Sequence, residues 1–178
     1  MKKVRVLFTI LWMGFIFFQG TQTGDVSIES SDRIVNPIVE VIEKTIEWLK
    51  PKPESSKSEP VKETIETSPK PTESQREILY QKVHYLVRKS AHFFEYAVLG
   101  GLAFWMFQGF RVTFWNQIIY SLFMILSVAV MDEYLQSFVA RTSSVGDILI
   151  DFSGGMTGIL ILYLIDELSI QMRQFLMK

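Results

Sequence analysis

Apolar runs alternate with strongly polar stretches along this chain, and the lengths of these runs predict membrane-spanning helices. Residues 6–18 are apolar except for one threonine and follow a basic start. Residues 91–110, 112–131 and 148–165 are later runs, close to the roughly 20 residues that a helix needs to cross a bilayer. The pattern therefore predicts an all-α fold, a polytopic membrane protein built as a four-helix transmembrane bundle.

The first apolar run has two interpretations. It is short for a spanning helix, which is typical of a cleaved signal peptide. Bulky Phe15, Phe17 and Phe18, however, stand where cleavage requires small residues. We therefore expect an uncleaved anchor over residues 1–20, with its basic N-terminus in the cytoplasm by the positive-inside rule. Four spans then return the C-terminus to the cytoplasm.

The segment between the first two spans is polar and is expected to lie outside the cytoplasm. Asn36 is expected to cap an amphipathic helix beginning at Pro37, whose apolar stripe packs on the bundle or lies among the lipid headgroups. Residues 50–71 hold five of the six prolines together with many Ser, Lys and Glu, the composition of a disordered tether. A capping box at residues 72–75 predicts a further helix that continues into the second span.

These elements predict three regions. Residues 1–20 form the N-terminal transmembrane anchor. Residues 21–90 form an extracytoplasmic region with the amphipathic segment, the tether and the pre-membrane helix. Residues 91–178 form a three-span membrane core with a cytoplasmic tail.

Composition narrows the function classes. The chain is 48% hydrophobic and carries a formal net charge of −1, without the concentrated basic surface of a nucleic-acid-binding protein. It has no cysteine, which excludes disulfides, thiolate metal sites and cysteine nucleophiles. The expected partners are the lipid bilayer and a lipid-linked or anionic envelope ligand.

Ionisable residues crowd at the ends of the apolar runs, where charge is costly and usually faces a protein interior or a water-filled cavity. Helical spacing places Arg88, His92 and Glu95 on one face of their helix. The candidate catalytic residues are His92, Glu95, Asp132 and Glu133. The candidate ligand-binding residues are Arg88, Lys89, Gln136, Arg141, Asp147 and Asp151.

Plainer interpretations of the same residues stay open. His92 and Glu95 are equally consistent with a structural hydrogen-bonded pair that holds helices together. Arg141 either binds a phosphate or carboxylate in bidentate fashion or neutralises Asp132 or Glu133. One histidine without an HExxH spacing is a weak metal signal, so no metal and no cofactor are expected.

The same residues resemble a known family. The motifs are RKSAHFFEY at residues 88–96, DEYLQSF at 132–138, Arg141, and DILID at 147–151 followed by Gly154 and Gly158. Together they are similar to the VanZ-like family of small bacterial membrane proteins, over the first span and residues 84–165, with the tether as an insertion. The chain departs from that pattern in having Val139-Ala140 where Pro-Gly is frequent, and Asp151 where Asn is common.

The family is named for an accessory determinant of low-level resistance to the glycopeptide teicoplanin. The resemblance implies a multi-pass envelope protein of a Gram-positive bacterium that affects cell-surface properties or glycopeptide susceptibility through an outward-facing polar site. The alternative is an intramembrane enzyme acting on a lipid-linked or phosphorylated envelope precursor. His92 would then be the general acid or base, Glu95 and Asp132 would orient it or a water, and Arg141 would hold the anion. A third interpretation is a signalling or assembly protein that works through the tether and amphipathic helix.

Overall fold

The computed structural model describes residues 2–22, 24–49, 73–139 and 144–177. These residues are almost entirely helical and include no strand, which confirms the all-α prediction. The helices in chain order are α1 (Lys2–Gly20), α2 (Gly24–Leu49), α3 (Glu73–Gln108), α4 (Phe114–Gln136) with a 3-10 turn at Ser137–Val139, and α5 (Val145–Leu176). The tether, residues 50–71, lies outside the described residues.

Three of the described helices are long and apolar enough to cross a membrane. They are α1, α4 with its 3-10 turn, and α5. The protein is therefore a multi-pass membrane protein. The remaining predicted span lies in the second half of α3, where His92 and Glu95 lower the average hydropathy.

The second half of α3 nevertheless packs against predicted spans along its length. Arg5 Nη1 donates to the Trp105 carbonyl oxygen at 2.7 Å, and Trp12 Nε1 donates to the Glu95 carbonyl oxygen at 2.9 Å. Residue numbers fall along α3 as they rise along α1, so these two helices are antiparallel. The second half of α3 therefore lies alongside α1 from Glu95 to Trp105.

Helices α3 and α5 run parallel to each other and meet through glycines. A Cβ atom on Gly100 would overlap the Gly155 carbonyl, and one on Gly158 would overlap the Ala97 carbonyl. Small residues allow this close approach, and van der Waals contact between backbones then stabilises helix pairs in lipid. Gln108 donates to Asp166 near the far end of the same interface.

Helix α4 completes an up-and-down bundle. Its Phe114 ring packs 5.5 Å from the Tyr163 ring of α5, and its Ile125 contacts the α5 backbone at Gly155. Residue numbers rise along α4 as they fall along α5, so these two helices are antiparallel. Helices α1 and α4 run in one direction and α3 and α5 in the other.

Two predicted span boundaries differ from the observed helices. Helix α4 continues five residues beyond position 131 to Gln136, and α5 continues beyond 165 through most of the predicted cytoplasmic tail to Leu176. Apolar content marks the part of a helix that suits lipid, whereas backbone hydrogen bonding continues past it. The polar residues that follow residue 131 consequently lie on the last turn of α4.

The prediction that a helix begins at Pro37 is wrong. Helix α2 begins at Gly24 and contains Pro37 in its interior. Proline removes one backbone hydrogen bond, but the apolar stripe continues on both sides of it. Val35 and Val39 are both buried against Val83 of α3, and this packing stabilises the helix through the proline.

By contrast, the helix predicted to run into the second span is confirmed. Helix α3 is unbroken from Glu73 to Gln108. The described contacts group the chain into two compact units, residues 1–27 with 88–178 and residues 28–87. We refer to the first as the membrane unit. The predicted three-region division stays a prediction.

Candidate functional site

Three polar side chains from three helices, two of them buried, meet in the membrane unit. We call His92 of α3, Asp132 of α4 and Asp151 of α5 the polar cluster. Each offers one nitrogen or oxygen atom, and these atoms lie within 4.8 Å of one another. His92 Nδ1 lies 3.5 Å from Asp151 Oδ1. Asp132 is 1% exposed and Asp151 is 0% exposed, whereas His92 is partly exposed.

Much of the hydrogen-bonding capacity of the polar cluster is unused within the described part of the chain. His92 Nδ1, Asp132 Oδ1 and both carboxylate oxygens of Asp151 are buried without a hydrogen-bond partner there. Leaving one buried polar group unsatisfied costs about 1–3 kcal/mol, and more when the group is charged. The cluster is thus a costly arrangement unless another group binds to it.

Two further predicted residues on α4 support the cluster. Gln136, one helical turn after Asp132, donates from Nε2 to Asp132 Oδ2 at 2.9 Å and holds that carboxylate in place. Glu133 Oε2 accepts a hydrogen bond from the Ser144 backbone N–H at 2.9 Å, just before α5 begins. Both side chains are buried, and Gln136 Oε1 and Glu133 Oε1 have no partner among the described residues.

Other predicted site residues pair elsewhere. Lys89 forms an ion pair with Asp147 across the α3–α5 interface, where both side chains are largely buried. Glu95 Oε1 accepts from Gln19 Nε2 at 3.1 Å and so faces the end of α1. These pairs join helices, and none of their members belongs to the polar cluster.

The structure describes only one of the two arginines predicted to bind a ligand. Arg88 lies one helical turn before His92, and its Nε and Nη2 atoms are buried without a hydrogen-bond partner among the described residues. Two unpartnered N–H groups of a guanidinium are suited to an anionic oxygen. Arg141 lies outside the described residues, so its predicted role stays a prediction.

A comparison with protein families decides the classification. The VanZ/LLP1 family model matches residues 5–166. The chain belongs to the VanZ/LLP1 family. The match includes α1 and every member of the polar cluster, and it confirms the family resemblance found in the sequence. No curated protein and no solved structure matches the chain.

Two residues of this VanZ/LLP1 protein were missing from the predicted site. Tyr96 is 0% exposed, and its hydroxyl has no hydrogen-bond partner in the described part of the chain. Its position four residues after His92 was a usable signal, because that spacing repeats a helical face. Gly20 lies against Asp132, since a Cβ atom there would overlap the carboxylate. No local pattern indicates this second contact, which depends on where α1 ends beside α4.

The VanZ/LLP1 fold also contains an apolar groove of about 450 Å³ in the membrane unit. The groove is lined by residues of α1, α3 and α4, namely Met13, Phe17, Phe107, Tyr120, Phe123, Met124, Ser127, Val128 and Met131. Met131 adjoins Asp132 of the polar cluster in sequence. An apolar groove of this kind is a suitable shape for a hydrocarbon chain.

Proposed function

We propose that this VanZ/LLP1 protein acts in the bacterial cell envelope, where its polar cluster changes cell-surface properties and susceptibility to teicoplanin. The observation that carries the proposal is the meeting of His92 with the buried Asp132 and Asp151, with unpartnered polar atoms, inside a bundle of apolar helices. Ionisable groups at membrane depth are expensive and usually functional. Family membership supplies the link to glycopeptides.

A purely structural role fits other polar pairs of the membrane unit better than it fits the cluster. Lys89 with Asp147, and Gln19 with Glu95, each join two helices by a direct contact. In the cluster, Asp151 lies 3.5 Å from His92 Nδ1, and this longer contact leaves both of its oxygens without a hydrogen-bond partner among the described residues. Side chains whose purpose is to join helices are expected to satisfy each other.

The arrangement of the helices supports access from one membrane face. Helices α1 and α4 end, and α5 begins, at the end of the bundle that holds the cluster. The basic residues at the start of α1 predict a cytoplasmic location for the opposite end. The cluster would then open towards the outer face, where glycopeptides and envelope precursors are found.

Susceptibility measurements test this proposal. The wild-type chain, expressed in a teicoplanin-susceptible Gram-positive host, should raise the inhibitory concentration of teicoplanin. His92→Gln and Asp151→Asn should abolish the effect at equal membrane abundance. Asp166→Asn is a matched control, because Asp166 bonds Gln108 far from the cluster and should retain the effect. An inhibitory concentration that does not change when the wild-type protein is expressed would contradict the proposal. So would cluster variants that raise it as much as the wild-type protein does.

A second candidate is an intramembrane enzyme that acts on a lipid-linked phosphate or diphosphate of the envelope. The observation favouring it is Arg88, whose buried unpartnered N–H groups lie one helical turn before His92. In this reaction class His92 would transfer the proton, while Asp132 would orient the imidazole or a water. Arg88 and Arg141 would bind the anion, and the apolar groove would accommodate the lipid chain.

Reconstitution distinguishes the two candidates. Purified protein in vesicles containing a polyprenyl diphosphate should release inorganic phosphate, and His92→Gln should remove this activity. Arg88→Gln should weaken substrate binding more than turnover, because it removes an anion contact and keeps the proton-transfer group. Altered susceptibility in cells with no phosphate release in vesicles would favour the non-enzymatic function.

A further inference from the structure

We propose that the polar cluster of His92, Asp132 and Asp151 is a binding site for one divalent transition-metal cation of the Zn²⁺ or Mn²⁺ class. The sequence predicted no metal, because one histidine without a recognised spacing is a weak signal. The tertiary structure brings together three potential ligands from three different helices. Such a set has no characteristic sequence spacing, so the sequence pattern does not reveal it.

The distances within the cluster suit a single metal ion. Nitrogen and oxygen ligands lie about 2.0–2.2 Å from Zn²⁺, which places neighbouring ligand atoms about 3–4 Å from each other. His92 Nδ1 and Asp151 Oδ1 are 3.5 Å apart, and all three ligand atoms fall within 4.8 Å. Small side-chain rotations would complete the site without moving a helix.

The charges of the cluster also favour a cation. Asp132 and Asp151 are both buried, and Lys89 is already paired with Asp147. Metal ligands bind as ionised carboxylates and neutral imidazole, and in that form the cluster would carry two negative charges, which a divalent ion would balance. Buried charges are retained in proteins when they are paired or coordinate metals.

A second observation, beyond the three ligands, points to a bound group. Gln136 is 0% exposed, and its Nε2 donates to Asp132 while its Oε1 has no partner among the described residues. The Tyr96 hydroxyl, one helical turn after His92, is also fully buried and unpartnered in the described part of the chain. Polar groups around a metal commonly orient its ligands and bind its coordinated water.

The donor set selects the class of metal. Imidazole favours Zn²⁺ and other transition metals, whereas sites for Ca²⁺ and Mg²⁺ are built from oxygen atoms. One nitrogen and two carboxylates are therefore expected to prefer Zn²⁺ or Mn²⁺ over Mg²⁺. Three protein ligands also leave a coordination position open, as in catalytic metal sites.

Metal binding is independent of any cellular role, so it can be tested without a susceptibility measurement. Full-length protein without a histidine tag, purified in detergent and treated with a chelator, would be dialysed against Zn²⁺, Mn²⁺ or Mg²⁺. Metal content measured by mass spectrometry should reach about one Zn²⁺ or Mn²⁺ per chain at concentrations that leave Mg²⁺ unbound. Loss of the teicoplanin effect with intact metal binding would contradict only the proposed function.

Substitutions locate the metal. His92→Gln, Asp132→Asn and Asp151→Asn should each lower the zinc affinity at least tenfold. Asp166→Asn is the matched carboxylate control on α5, because Asp166 bonds Gln108 far from the cluster, and His84→Gln is the histidine control. Both controls should keep wild-type affinity. Retention of full affinity in the folded cluster variants would overturn the site.

Two measurements on the wild-type chain keep the test decisive if those variants fail to fold. Zinc should raise the thermal unfolding midpoint, because a ligand that binds only the folded state stabilises it. Zinc X-ray absorption should show one imidazole among oxygen ligands. The whole chain contains two histidines and no cysteine, so a shell with two imidazoles places the metal elsewhere. That result, or wild-type protein that binds no zinc, would reject the proposal.

Discussion

Gly20, the last residue of α1, lies directly against the carboxylate of Asp132 on α4. A Cβ atom at position 20 would overlap Asp132 Oδ1 and lie 3.2 Å from Asp132 Cγ. The end of the first span therefore sets the space available to one member of the polar cluster. The anchor is in this sense part of the site.

Gly20→Ala should displace the Asp132 side chain while leaving the fold intact, because the overlapped atom belongs to a rotatable side chain. We expect the teicoplanin effect to be lost at wild-type membrane abundance and with a nearly unchanged unfolding midpoint. Gly14→Ala on the same helix is the control, since a Cβ there meets nothing within 4 Å. Equal activity of the two alanine variants would show that α1 does not shape the site.

The glycine contact between α3 and α5 gives a prediction about stability. Gly158→Ala should destabilise the protein by about 1–3 kcal/mol, the usual cost of overpacking a tight interface, because the overlapped atoms belong to the backbone at Ala97. Thermal unfolding in detergent measures the change. Gly101→Ala should be nearly neutral, because a Cβ atom there would lie 3.7 Å from the Gly158 carbonyl oxygen, an ordinary van der Waals contact. A neutral Gly158→Ala would mean that the two helices approach less closely.

The ion pair of Lys89 and Asp147 should behave differently from the polar cluster. Removing one partner of a buried pair typically costs about 3–5 kcal/mol, because the other charge is left uncompensated. Lys89→Gln or Asp147→Asn alone should therefore lower membrane abundance. The double variant should recover much of it, and immunoblots of membrane fractions measure both effects. Absence of recovery would indicate that the two residues do not depend on each other.

Labelling tests the number and direction of the spans. The chain has no cysteine, so single cysteines can be introduced without background. An impermeant thiol reagent on intact cells should label Val145→Cys, at the exposed start of α5, and Ser56→Cys in the predicted outer tether. It should not label Gln174→Cys, near the end of α5. Labelling of Gln174→Cys together with Val145→Cys would contradict four spans.

The tether prediction follows from composition alone. Deletion of residues 50–71 should leave the protein inserted and stable, because a segment rich in Pro, Ser, Lys and Glu does not bury a core. Membrane abundance and the unfolding midpoint of the deletion variant measure this. Loss of the protein from the membrane fraction would show that the segment packs.

Local sequence was sufficient to predict the elements of the bundle. Apolar run length indicated α1, α4 and α5, because lipid requires about 20 apolar residues per crossing helix. Gly154 and Gly158 are four residues apart, a spacing that allows close helix packing, and the structure places both against backbone atoms of α3. The start of α2 was predicted wrongly, because the proline rule is local whereas the packing of Val35 on Val83 is not.

The sequence by itself determined which residues carry charge at the ends of apolar segments and which helical face each occupies. Only the tertiary structure decided how they combine. Nothing in the spacing of residues 88–96 separates His92, which joins Asp132 and Asp151, from Lys89, which pairs with Asp147, or Glu95, which bonds Gln19. Helical periodicity specifies directions around one helix axis, whereas partners depend on the rotation and axial offset of neighbouring helices. In this bundle, close contacts such as those of Gly20, Gly100 and Gly158 set both quantities.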